Sequence, residues 1–226
     1  MVPPLALDID GTLTTPTGRI DPRVFELLPA WDAPVVFATG KAFPYPVALA
    51  NFLGREETVI AENGGVAYVG GETTIVGDPD AAWAVVEAFR ERGGAVGWGD
   101  GDTVNRWRET EVAVSPDADE ALLREVAATV EDVEVVDTGY AFHVKSTGVS
   151  KGRALERVAE ALDLDPAAFV AVGDSENDAS TFRVAGESYA VANADAVARE
   201  AADEVVAEEF MDGTVSVLAE LRERAA

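Results

Sequence analysis

Apolar positions fall into two kinds of segment, short unbroken runs and longer stretches with helical spacing. Residues 2–9, 34–39 (PVVFAT), 58–61 and 168–172 are continuous apolar runs of strand length, the pattern of strands covered on both faces. Residues 188–191 and 204–206 predict two further short strands, and 66–69 with 73–76 predict a hairpin across Gly70-Gly71. Helices are predicted at 21–29, with Asp21 as N-cap and Pro22 in the first position, and at 214–224. Another covers 43–53, where the prolines confine it to the later part. In 151–162, Leu155, Val158, Ala159 and Leu162 share one helical face. Alternating buried strands and helices predict an α/β fold, a Rossmann-like parallel sheet with helices on both faces.

The middle of the chain breaks this rhythm. Residues 80–92 and 118–130 read as helices, the second marked at its start by Pro116 and Asp117. Residues 111–114 read as a strand, and 133–136 with 141–145 as a hairpin. This predicts a small α+β cap, residues 79–149, inserted into a core made of 1–78 and 150–226. Residues 93–102 hold five glycines and read as a flexible loop.

Composition narrows the function. With 226 residues, 48% of them apolar, the chain can bury a core, so general disorder is excluded. Asp and Glu number 42 against 17 Lys and Arg, a formal charge of -25, which repels nucleic-acid backbones and anionic membranes. There is no cysteine, and the single histidine, His143, excludes multi-imidazole zinc sites. Residues 1–7 are too short and uncharged for a signal peptide, and no apolar run reaches membrane-spanning length, so a cytoplasmic location is expected. Fourteen of the basic residues are arginine; the only lysines are Lys41, Lys145 and Lys151. Extreme acidity with little lysine resembles proteins of salt-loving cytoplasms, although high-GC codon bias produces the same pattern.

The candidate chemistry sits where buried strands end. Asp8 and Asp10 lie two apart after the first strand, on the same face if the strand continues, and suit a hard divalent cation or nucleophile-plus-acid chemistry. Alone this pair reads better as an Asp- and Gly-rich turn, a short pattern common in acidic chains. Gly11 and Thr12 offer backbone N–H groups to an anion. Thr39-Gly40 follows a second strand, and Asp174 and Asp178, with Asn177 between, follow a later one; Asp174 is also a candidate helix cap. Lys151 opens a helix, where a cation is unfavourable, so it requires an anionic partner. Lys41 is a candidate phosphate-attracting charge, and Lys145 lies near the junction of core and cap. His143 reads as a packed or half-exposed cap residue, and Trp83, Trp98 and Trp107 as core or interface aromatics. Asn105, Arg106 and Arg108 read either as contacts to an acidic substrate group or as solvated loop residues.

Together, Asp8-Ile9-Asp10-Gly11-Thr12-Leu13-Thr14 (DxDGTLT), Thr39-Gly40, Lys151 and Gly173-Asp174-Ser175-Glu176-Asn177-Asp178 (GDxxND) resemble, in order and spacing, the four motifs of the haloacid dehalogenase superfamily of phosphatases. An insert between the second and third motifs is similar to the capped subgroup of Cof-like sugar phosphatases, sucrose-phosphate phosphatase and archaeal phosphoglycolate phosphatases. A cap this short looks most like the last. The resemblance implies a Mg²⁺-dependent phosphatase acting through an aspartyl-phosphate on Asp8, with Asp10 as acid and base. It implies Mg²⁺ held by Asp8, Asp10, Asp174 and Asp178, and the phosphoryl group bound by Thr39, Gly40 and Lys151. Asn177 then orients Lys151 or the phosphate. The implied substrate is a small phosphorylated metabolite, 2-phosphoglycolate first; a sugar phosphatase, a phosphomutase and a phospho-acceptor signalling domain are the alternatives. A homodimer is left open.

Overall fold

Successive residues of the buried strands enter two different cores. Leu5, Leu7, Val35, Phe37, Val170 and Val172 join one apolar cluster, while Ala6, Val36, Ala38 and Ala171 join another. This period-two alternation is that of a sheet covered on both sides. A computed structural model describes residues 1–226. The chain opens with β1 (Leu5–Asp8), α1 (Val24–Leu27), β2 (Val35–Ala38), α2 (Pro44–Phe52) and β3 (Val59–Ala61), followed by the hairpin β4 (Val66–Val69) and β5 (Glu72–Ile75). Next come α3 (Pro79–Glu91), β6 (Val112–Val114), α4 (Glu120–Ala127), β7 (Val133–Asp137) and β8 (Phe142–Ser146). It closes with α5 (Lys151–Ala161), β9 (Val170–Gly173), α6 (Ala179–Phe182), β10 (Glu187–Ala190), α7 (Ala196–Ala201), β11 (Glu204–Val205) and α8 (Phe210–Ala225).

Eight strands form one sheet in the order β11-β10-β9-β1-β2-β3-β4-β5. Neighbours from β11 to β3 are parallel, and β4 and β5 continue the sheet antiparallel. The order sets β9, β1 and β2 side by side, so three loops distant in sequence share one rim, the carboxyl ends of parallel strands where α/β folds bind ligands. A second sheet, β6-β8-β7, is antiparallel. It packs with α3 and α4 around Val85, Phe89, Val112, Leu123 and Val144, a separate core.

Several elements differ from their predicted form, each for a local reason. The prolines do not delay α2: Pro44 and Pro46 lie in its first turn, where backbone N–H groups have no helical partner to lose. α4 is shorter than predicted because Asp119, not Asp117, caps it, accepting from the Leu122 N–H at 3.0 Å. Residues 93–102 form no regular element but are tied down. The Val96 carbonyl accepts from the Ser115 N–H at 2.7 Å, and the Trp98 indole N–H donates to the Ala113 carbonyl at 2.8 Å. Trp83 and Trp107 are exposed, whereas Trp98 is half-buried, stacked on Tyr140 and packed against the core of the second sheet. No helix is long and apolar enough to cross a membrane.

Candidate active site

β1 ends on Asp8, β2 leads into Thr39, and β9 delivers Asp174 one residue past its end. Strand adjacency therefore collects at one rim the three groups that lay far apart in sequence. Asp8 is buried, and its Oδ1 accepts from Lys151 Nζ at 2.7 Å. The same ammonium donates to Asp178 Oδ1 at 2.7 Å. Lys151 is completely buried as the first residue of α5, and these two carboxylates are the anionic partners its helix-end position requires. Burial disfavours its charge, but Asp178 and Asp8 more than offset this and hold it more firmly protonated than a free lysine.

Asp178 Oδ2 accepts the N–H groups of Asp174 and Ser175 at 3.0 and 3.1 Å, closing a single 3₁₀ turn at Glu176–Asp178. Ser175, not Asp174, is the capping residue, so the Asp174 carboxylate forms no hydrogen bond within the protein. It lies against Gly11, whose φ is +83°; a β-carbon there would stand 1.9 Å from Asp174 Oδ2, so only glycine admits the acid. Oxygens of Asp8, Asp174 and Asp178 lie within 4.8 Å of one another, and Asp8 Oδ2 is buried without any partner. Burial first, then the neighbouring acids, push Asp8 up to about 7 and Asp174 up to about 9, with Lys151 opposing both shifts. An orphaned carboxylate oxygen, an unbonded carboxylate and an all-oxygen donor set fit a hard divalent cation.

Asp10 lies in the turn after β1, so strand periodicity does not align it with Asp8. Its half-exposed carboxylate accepts from Lys41 Nζ at 2.8 Å, and that ammonium also sits 4.6 Å from the Tyr140 ring centroid. Thr39 is buried and its hydroxyl accepts the Lys41 N–H at 3.0 Å, keeping its own proton to donate. The Gly11 N–H, expected to face an anion, is instead donated to Thr14 Oγ1 at 2.9 Å. Asn177 makes no hydrogen bond to Lys151: its Nδ2 donates to Asn63 Oδ1 at 2.8 Å, and its Oδ1 accepts from Ser175 at 2.9 Å. Asp178 is the residue that orients the lysine.

A second group of buried polar residues joins the two sheets. Glu62, after β3, accepts the N–H groups of Glu109 and Thr110 and the Thr110 hydroxyl at 2.8–3.0 Å. Asn63 Nδ2 donates to Glu111 Oε2 at 2.9 Å. Glu111 Oε1 pairs with His143 Nδ1 at 2.7 Å and with the Arg108 guanidinium, which also donates to the Gly40 carbonyl at 2.9 Å. Burial pushes Glu111 up, but His143 and Arg108 more than offset it and hold it near 2. None of Glu62, Asn63 or Glu111 was marked by the sequence pattern, and the side chain of Arg108, which pattern alone could place in solvent, is 3% exposed. Asn105 instead fixes its own loop, through Asp102 and the Ala113 carbonyl. Lys145 closes the return to α5, donating to Glu134 and to the Val149 carbonyl. Asp8, Asp10 and Gly40 below, and Thr138, Tyr140 and His143 from the β7–β8 hairpin above, line a cavity of about 30 Å³.

A family profile described as haloacid dehalogenase-like hydrolase matches residues 5–93 and 112–218. A phosphoglycolate phosphatase of Halorubrum lacusprofundi is 78% identical over 225 residues, 99% of each chain. One of Natronomonas pharaonis is 54% identical, again over 99% of each. Such halophilic relatives accord with the acidic composition. A crystal structure from Thermoplasma acidophilum superposes with a TM-score of 0.86 at 23% identity, covering 98% of this chain and 99% of its own.

Proposed function

Since the chain belongs to the haloacid dehalogenase-like hydrolase family, we propose that its site removes the phosphoryl group from 2-phosphoglycolate, releasing glycolate and phosphate. The observation that carries this reading is Asp8, with one oxygen fixed by a fully buried Lys151 and the other free of protein partners at the mouth of parallel strands. The cavity beside it is small, about 30 Å³, and is lined by Asp10, Gly40, Lys41 and His143.

Asp8 attacks phosphorus: its carboxylate oxygen forms the new P–O bond as the bond to the leaving oxygen breaks. Asp10 protonates the departing alkoxide, then takes a proton from the water that cleaves the aspartyl-phosphate and frees Asp8. Lys151 and the Thr39 hydroxyl hold the equatorial phosphoryl oxygens, with the Gly40 backbone alongside. Asn177, bonded to Asn63, braces the far wall, and the β7–β8 hairpin excludes bulk water. Asp8 and Asp174, with Asp10 and Asp178 beside them, would hold a divalent cation, Mg²⁺ by its preference for oxygen donors. When bound, it supplies the positive charge that lets a carboxylate approach a phosphate dianion. No nucleic acid or membrane enters this reading; the partner is the small phosphorylated metabolite.

Phosphate release from 2-phosphoglycolate, glucose 6-phosphate and ethyl phosphate, with Mg²⁺ or with EDTA, tests the assignment. The expected result is Mg²⁺-dependent turnover with 2-phosphoglycolate preferred; equal or greater turnover of the hexose phosphate would overturn the substrate.

The raised carboxyl groups also set how a cation affects stability. Asp8 and Asp174 hold protons in the fold at a pH where the unfolded chain, with carboxyls near 3.8, has lost them. Without a cation, the fold is therefore progressively destabilised as pH rises from about 4 toward 9. A cation replaces those protons, so millimolar Mg²⁺ raises Tm more at pH 8 than at pH 5. Scanning calorimetry showing an equal shift at both pH values would place the ion elsewhere.

A further inference from the structure

The transfer chemistry gives His143 no task, yet the residue is built into the site. It is 1% exposed, on β8. Its Nδ1 is committed to Glu111, which Arg108 and Asn63 hold, and Arg108 is held in turn by the Gly40 carbonyl. The imidazole cannot rotate without breaking a buried chain of charge-assisted bonds. Its Cε1 lies 3.4 Å from where a β-carbon on Gly40 would stand, so the Cε1–Nε2 edge faces the cavity over Asp8 and Asp10. Nε2 makes no hydrogen bond within the protein. The residue lines a cavity beside the reacting groups, so this nitrogen is free to meet a ligand there.

Lys41 lines the same cavity. In a chain of formal charge -25, two nitrogen groups converging there are a departure from the surrounding surface. We propose that His143, with Lys41 beside it, binds a carboxylate on the leaving group and so selects short phosphorylated acids over neutral phosphate esters. This deepens the phosphatase reading and rests on it: the departing half of 2-phosphoglycolate is a two-carbon acid. The bound state places Nδ1–H on Glu111 and Nε2–H on the substrate, so the imidazole takes up a proton. In the free protein, burial and the charges of Arg108 and Lys145 favour the neutral ring, and Glu111 opposes them. The incoming carboxylate adds a second anion at the other nitrogen.

Because His143 is the chain's one histidine, its ¹⁵N resonances report on it in the wild-type protein. The probes are 3-phosphonopropionate, in which CH₂ replaces the scissile oxygen, and propylphosphonate, which lacks the carboxylate. The first moves the Nε2 resonance toward the imidazolium position and the second does not; identical spectra with both overturn the proposal. In His143→Leu, the ratio of kcat/KM for 2-phosphoglycolate to that for ethyl phosphate falls at least about tenfold, mostly through KM, and His143→Gln restores part of it. A folded His143→Leu protein with the wild-type ratio removes His143 from substrate selection and leaves the phosphatase reading standing. A wild-type enzyme that hydrolyses both esters without preference removes the carboxylate subsite together with the choice of 2-phosphoglycolate. A wild-type enzyme that hydrolyses neither overturns the phosphatase reading itself.

Discussion

Asp8→Asn lowers turnover by at least about 10⁴-fold, the scale on which nucleophile replacements act. The amide is nearly isosteric with the carboxyl but cannot form the acyl-phosphate bond, so no phosphorylated protein accumulates in a rapid acid quench. The fold survives for a reason visible in the site. Asp8 is buried among Asp10, Asp174 and Asp178, and its ionised form is disfavoured enough to push it up to about 7. Its folded value lies above the unfolded one, so the fold retains a proton that the unfolded chain releases, and wild-type stability falls as pH rises from about 4 to 7. Asparagine carries no such titration. In cation-free buffer the Tm of Asp8→Asn relative to wild type therefore climbs between pH 5 and pH 8, by up to about 1.4 kcal/mol of stability per pH unit. Substantial residual turnover, or a relative Tm that falls with pH, would contradict this account of Asp8.

Much of this site is written at strand ends, which is why it can be read before any coordinates exist. Asp8, Thr39 and Asp174 each follow a continuous apolar run, and runs of that kind become adjacent parallel strands whose carboxyl ends share a rim. Lys151 stands out because a cation at a helix start needs an anion, and Asp8 and Asp178 supply two. The joint between the sheets is different. Glu62, Asn63, Arg108 and Glu111 are single residues on loops or at a strand start, with no period and no local partner. Each acquires its meaning only from groups about 50 residues away or more, or from a neighbour that is itself placed by such contacts. Helix limits were blurred for a related reason: Asp117 and Asp119 are both acceptable caps by type, and only packing selects Asp119.

The same burial that marks Lys151 makes its replacement the more disruptive change. Lys151→Met removes the one positive charge hydrogen-bonded to both Asp8 and Asp178, leaving two buried carboxylates uncompensated. Breaking a buried pair from one side costs about 3–5 kcal/mol, enough to lower Tm by many degrees in a domain of this size. Turnover falls by about 10³-fold or more, because in the proposed mechanism the charge that steadies Asp8 also holds the transferring phosphoryl group. A double variant separates the two losses. Lys151→Met with Asp178→Asn leaves only Asp8, which burial already inclines to take a proton, so part of the lost Tm returns. Turnover does not, since the cation beside Asp8 is still missing. If the double variant regained activity along with stability, Lys151 would be a structural counter-ion alone, and phosphoryl stabilisation would have to come from the metal site and Thr39.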